Sequence, residues 1–161
     1  MDLRALFSFP NPVNDVSARL VAGGVVVLAA ATVGSRQEWL LPVLAYGFVA
    51  RVATGPTLSP LGLFATKVVT PRLGLTPRYS PGPAKRFAQG VGAAFSITAA
   101  VLALGFGLDA AAFALVGVVG VFAFLEAAFG LCVGCKVFAL LIRTGVVPES
   151  VCLACADIWA R

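Results

Sequence analysis

The sequence contains no histidine, and only 12% of its 161 residues are Asp, Glu, Lys or Arg. Without His there is no Ser-His or Cys-His nucleophile, no imidazole metal ligand and no His proton relay, so enzymes built on those chemistries are excluded. The charged share is half of the roughly 25% found in ordinary soluble domains. With 60% hydrophobic residues and a mean hydropathy of +0.97, the chain has too little polar surface to keep a globule in water. The composition is that of a membrane protein. A nucleic-acid binder would display the formal net charge of +5 on a soluble face. Here the basic residues gather in one loop and at the edges of apolar runs, so no nucleic-acid partner is expected.

Four apolar runs stand out: Val16 to Val33, Trp39 to Ala53, Phe87 to Leu108 and Ala110 to Leu131. A spanning helix needs about 20 apolar residues, which predicts an all-α integral membrane bundle of about four transmembrane helices forming one domain over residues 1–161. The first run has no polar face and holds one charge, Arg19; Asn14 or Asp15 is placed to cap it, and Gly34-Ser35 to end it. Signal-peptide cleavage is not expected, because Met1 to Asp15 carries Asp2 and Asp15 against Arg4 alone and so lacks a basic leader. The second run is short for a span, either a tilted crossing or a re-entrant helix. Arg51 near its end must reach a headgroup or another helix. Between the second and third runs, residues 54–86 form a Pro-rich basic loop in which Leu61 to Val69 suits a short interfacial helix. Leu104 to Asp109 reads as a tight turn, and Cys-containing residues 132–161 form a C-terminal segment interrupted at Gly145 and Pro148.

Lys and Arg accumulate on the cytoplasmic side of a membrane. With four spans, one side receives eleven of the twelve basic residues and the other only Arg36. Both termini are therefore expected in the cytoplasm of a multi-pass inner-membrane protein, with all four cysteines at or near that face. The basic loop would meet anionic headgroups of the bilayer.

Two Cys-x-x-Cys pairs, Cys132/Cys135 and Cys152/Cys155, are separated by residues 136–151, a spacing compatible with a four-thiolate zinc site. Permanent disulfides are disfavoured in the cytoplasm, which leaves metal binding, redox cycling or sulfur transfer. Cys132 and Cys135 are expected to extend the fourth span; on a helix the three-residue spacing places both on one face, and neighbouring Lys136 favours the thiolate.

The segments Asn11 to Asn14, Arg51 with Gly55-Pro56 and Ser59-Pro60, Pro81 to Gly90, and above all Glu126 to Lys136 resemble bacterial membrane proteins catalogued as domain of unknown function 4395. The resemblance runs over nearly the whole chain. It implies a small multi-span protein encoded near thioredoxin-like and rhodanese-like proteins, and hence thiol or sulfane-sulfur handling.

Glu126 lies inside the fourth run, where an unpaired acid costs several kcal/mol. It serves either as a structural partner of Arg51, Lys85 or Arg86, or as proton acceptor for the cysteines. Arg19 and Arg51, at matching depths, would bind headgroups or build an anion site. Three functions remain open. The first is a thiol protein exchanging electrons or sulfur with a soluble cytoplasmic thiol or sulfur-carrier protein, with Cys132 or Cys135 as nucleophile and Cys152/Cys155 as the resolving pair. The second is a scaffold holding zinc or an iron-sulfur cluster on Cys132, Cys135, Cys152 and Cys155, and the third is a small transporter subunit. Gly117 and Gly120 would permit close helix packing within the chain or in a homodimer.

Overall fold

The computed structural model describes residues 9–152 and Cys155. It is 77% helical and its single sheet has two strands of two residues, so the fold is an all-α bundle. Strand β1 (Val13–Asn14) leads into α1 (Asp15–Ser35), followed by α2 (Leu40–Thr54). A continuous irregular helix, α3, comprises Pro60–Leu63, a π-helical Phe64–Val69 and Thr70–Leu73. Strand β2 (Tyr79–Ser80), α4 (Gly82–Phe106), α5 (Asp109–Phe129), α6 (Val133–Arg143) and the 3₁₀ turn Glu149–Val151 complete the order.

The helix ends follow local chemistry. Asn14, not Asp15, caps α1: its side-chain oxygen accepts from the Val16 N–H at 3.0 Å. That leaves the Asp15 carboxylate for other work. Gly55 ends α2 with φ 63°, and a Cβ there would stand 2.6 Å from Pro10 Cδ, so both conformation and space require glycine. The turn between α4 and α5 is only Gly107-Leu108, with the Leu108 N–H returning to Leu102 O at 2.9 Å.

The expected loop 54–86 is largely helical. Two of its prolines are helix starters: Pro60 opens α3 behind Ser59, whose hydroxyl accepts from Gly62 N–H at 3.2 Å, and Pro83 lies in the first turn of α4, which therefore begins five residues before Phe87. Proline's missing N–H is no loss in a first turn, where that donor has no helical partner. β1 and β2 pair antiparallel, Val13 opposite Ser80, and tie the N-terminal segment to the start of α4.

Helix α1 packs on α5 and α2 on α4, while α4 also contacts α5 and α6. Polar contacts between helix ends fix the directions. The start of α1 meets the end of α5, where Arg19 reaches the Ala127 and Ala128 carbonyls. The end of α2 meets the start of α4, where Arg51 reaches Gln89. The starts of α1 and α4 and the end of α5 meet at Asp15, Lys85 and Glu126. The four helices thus alternate up and down, and the Arg36 turn lies at the opposite end.

Small residues fill the seams. Ala99, Ala103 and Ala112 are buried beside Leu41, Leu44 and Val116, and Gly92 leaves the space that the Phe48 ring occupies. Gly120 faces Ala29, where an added Cβ would stand at 3.2 Å, so this glycine serves packing within the chain. Large apolar side chains, among them Val27, Val43, Val101, Val121 and Phe124, point outward. Small inside and large outside is the pattern of helices packed in lipid. Helices α1, α4 and α5 are long and apolar enough to cross a membrane. At 15 residues, α2 is shorter, about 22 Å at 1.5 Å per residue.

Candidate functional site: a dithiol beside a disulfide

Cys132 and Cys135 do not extend the fourth apolar helix, as the uninterrupted hydropathy suggests. Gly130 adopts φ 68° and ends α5, its N–H bonded to Glu126 O at 2.9 Å. Cys132 follows in extended geometry as the N-cap of a separate helix, and its carbonyl accepts from Lys136 N–H at 3.1 Å. Cys132 and Cys135 therefore occupy the N-terminal turn of α6, where the helix dipole favours negative charge. Helix α6 lies against the first turns of α4. Phe138 and Phe87 rings are 5.2 Å apart, and a Cβ on Gly134 would stand 2.6 Å from the Ala88 Cβ, so only glycine permits this approach.

The Cys135 thiol donates to Cys132 Sγ at 2.7 Å, and both side chains are buried and unbridged. Cys152 and Cys155 are joined in a disulfide, with Cα atoms 5.3 Å apart. All four belong to one buried cluster with Ala84, Phe138 and Ile142. The chain reversal at Thr144–Pro148, with Gly145 at φ 76°, brings the tail back onto α6. A cleft of about 690 Å³ opens on Cys132, Cys135 and Cys152, and Asp15, Lys85 and Lys136 also line it.

The buried charges nearby are organised around Lys85. Its Nζ lies 2.9 Å from Asp15 Oδ1 and 2.5 Å from Glu126 Oε1, and Ser80 Oγ donates to the same Asp15 oxygen at 3.1 Å. Of the three cations considered for Glu126, Lys85 is the one in contact. Arg86 Nε donates to Val52 O at 3.0 Å and Arg51 is held by Gln89 and Ser59. Arg19 and Arg51 do not share a site: Arg19 caps the last carbonyls of α5, a favourable place for a cation. Glu126 and Cys132 both line a cavity of about 210 Å³. Asp15 as a member of this cluster escaped the sequence reading, because it stands where a cap residue is expected.

Electrostatics divide the two thiols. The hydrogen bond from Cys135 holds the Cys132 thiol below its ordinary range; Lys85 acts in the same direction, against burial and Glu126. Cys135, as the donor of that bond and buried, is pushed well up. The arrangement therefore favours the thiolate at Cys132 and the protonated thiol at Cys135. Because only the thiolate reacts, alkylation of Cys132 should show a midpoint below the ordinary thiol value near 8.5. Cys135→Ala removes the stabilising donor and should move that midpoint upward. Iodoacetamide rates against pH read this directly, and an unmoved midpoint would contradict the assignment.

With Cys152 and Cys155 bonded to each other, four thiolates are not presented to one centre. Among the described residues no three His, Cys, Asp or Glu side chains are grouped as metal ligands.

Residues 13–143 match the model of the family described as Domain of unknown function (DUF4395). The chain belongs to this family. No curated protein and no solved structure matches the chain. The DUF4395 match takes in Cys132, Cys135, Glu126, Lys85 and Asp15, and ends at Arg143, before Cys152 and Cys155. The reduced pair and the charge cluster thus belong to the family region, and the disulfide to the tail that follows it.

Proposed function

We propose that this DUF4395 protein is an integral membrane thiol protein that exchanges electrons or sulfur with a soluble partner through its two Cys-x-x-Cys pairs. One observation carries the reading: a reduced pair and a disulfide share one buried cluster at the end of the bundle. The exchange balances without a further reagent. The Cys132 thiolate attacks one sulfur of Cys152–Cys155, and the other leaves as thiolate. Cys135 then gives up its proton and displaces the tail sulfur, which closes Cys132–Cys135 and leaves Cys152/Cys155 as a dithiol. Two electrons pass from the first pair to the second. The tail dithiol reduces a disulfide of a soluble thioredoxin-like protein, and a partner dithiol restores Cys132/Cys135 while becoming a disulfide itself. With a rhodanese-like carrier, the same thiolate takes the outer sulfur of a persulfide and releases the carrier's thiolate.

Helix α2 is taken as the fourth span, with an inner-membrane protein whose termini and cysteines face the cytoplasm. The alternating helix directions and the isolation of Arg36 from the other described basic residues support that orientation. A membrane-impermeant maleimide applied to intact cells tests it. A single cysteine at Arg36 should be labelled, and one at Ser150 should not. After lysis without reductant, alkylation followed by mass spectrometry should find Cys132 and Cys135 modified and Cys152–Cys155 bridged. Labelling of Ser150 from outside would overturn the orientation, and a stoichiometric metal with four protected thiols would overturn the exchange in favour of a scaffold.

A further inference from the structure

Arg51 enters the bundle from the last turn of α2 and is 6% exposed. Its Nε donates to Gln89 Oε1 at 2.8 Å and its Nη1 to Ser59 Oγ at 3.3 Å, while the guanidinium carbon lies 4.5 Å from the Phe48 ring centre. Nη2 is buried and has no hydrogen-bond partner among the described residues. None of these contacts carries a formal negative charge. The buried acids Asp15 and Glu126 are both bonded to Lys85. A buried guanidinium with one open edge and neutral partners is costly, and the group that best satisfies it is an oxygen bearing negative charge.

The arginine lines a cavity of about 370 Å³, within the roughly 300–1,000 Å³ of small-molecule sites. Its lining includes the polar Arg51, Lys85 and Gln89 and the apolar Val13, Ala18 and Val21. A bare inorganic anion would meet the polar residues and leave the apolar ones uncovered. We propose that this cavity binds an amphiphilic anion, its oxyanion head on Arg51 Nη2 and its apolar chain along Val13, Ala18 and Val21. A free fatty acid and the phosphodiester head of a membrane lipid share this chemistry. The site is separate from the cysteines and stands whether or not they exchange electrons.

Decanoate and decanol serve as probes on the full chain in neutral detergent. Decanoate should raise the melting temperature saturably, and decanol, with the same chain and no charge, should not. Arg51→Gln should weaken decanoate binding by about 10-fold or more, the worth of a charge-assisted hydrogen bond. Ala18→Phe fills the chain slot without touching the guanidinium; it should also remove the decanoate shift, and it decides the matter if Arg51→Gln does not fold. In nanodiscs, decanoate binding lost in phosphatidylglycerol but kept in phosphatidylcholine would identify the lipid head as the natural occupant, and binding kept in both a free acid. Equal shifts from decanoate and decanol, or a decanoate shift untouched by Ala18→Phe, would overturn the proposal.

Discussion

Replacing Cys132 and Cys135 together by Ser should leave the Cys152–Cys155 disulfide unreduced, replacing Cys152 and Cys155 should leave Cys132 and Cys135 without their internal acceptor, and Cys135→Ser alone should let a Cys132-linked mixed disulfide accumulate. The asymmetry follows from the geometry. Cys132 holds the N-cap of α6 and accepts a hydrogen bond from Cys135, so it is the group prepared to attack. Cys152 and Cys155 already hold a disulfide and supply its electrophile. Without Cys135, the second displacement that frees Cys132 from a mixed disulfide has no donor beside it, and the intermediate persists. Non-reducing gels after acid quenching separate the species. Equal loss of fold stability and bound metal in both double variants would replace exchange with a structural thiolate site.

Lys85→Met should be the most destabilising single change outside the cysteine cluster. It removes a cation that touches both Asp15 and Glu126, whose side chains are 21% and 13% exposed. Breaking a buried pair leaves charge without compensation, at a cost of about 3–5 kcal/mol. Adding Glu126→Gln should recover a large part of that loss, because one stranded carboxylate becomes a neutral amide. Glu126→Gln alone should cost less, since Lys85 keeps Asp15. Unfolding of the detergent-solubilised variants gives the three differences and their coupling. Lys85→Met within 1 kcal/mol of the parent chain on that scale would mean that the triad contributes little.

The hydropathy of the sequence located four apolar helices within a few residues, because a helix surrounded by lipid needs no alternation and leaves an unbroken run. The same property hid the break at Gly130. This glycine sits in an apolar stretch, and only its positive φ, set by the return of its N–H to Glu126 O, separates α5 from α6. Prolines were legible as punctuation but not as to kind: Pro60 and Pro83 open helices, an outcome that depends on the backbone before them. The cysteine pairs were legible from spacing alone, as was Glu126 as a residue in need of a partner. That the partner is Lys85, shared with Asp15, depends on three elements meeting, and no local pattern carries that information. The division of labour between Cys132 and Cys135 likewise required the hydrogen bond between them.

The meeting of Asp15, Lys85 and Glu126 also bears on how the chain is made. Asp15 and Lys85 are 70 positions apart and Lys85 and Glu126 are 41, so α1 is made long before Lys85, the cation that its first residue pairs with, exists. Arg19 waits longer, for carbonyls 108 and 109 residues downstream. Until the fourth apolar helix exists, Arg19 lacks its carbonyls and Lys85 lacks its second carboxylate. These contacts are therefore completed late and together: α5 carries both the Glu126 carboxylate that Lys85 reaches and the carbonyls that Arg19 reaches. The dithiol follows directly behind it in the chain, and part of what buries Cys132 and Cys135, namely Phe138, Ile142 and Cys152, is made later still.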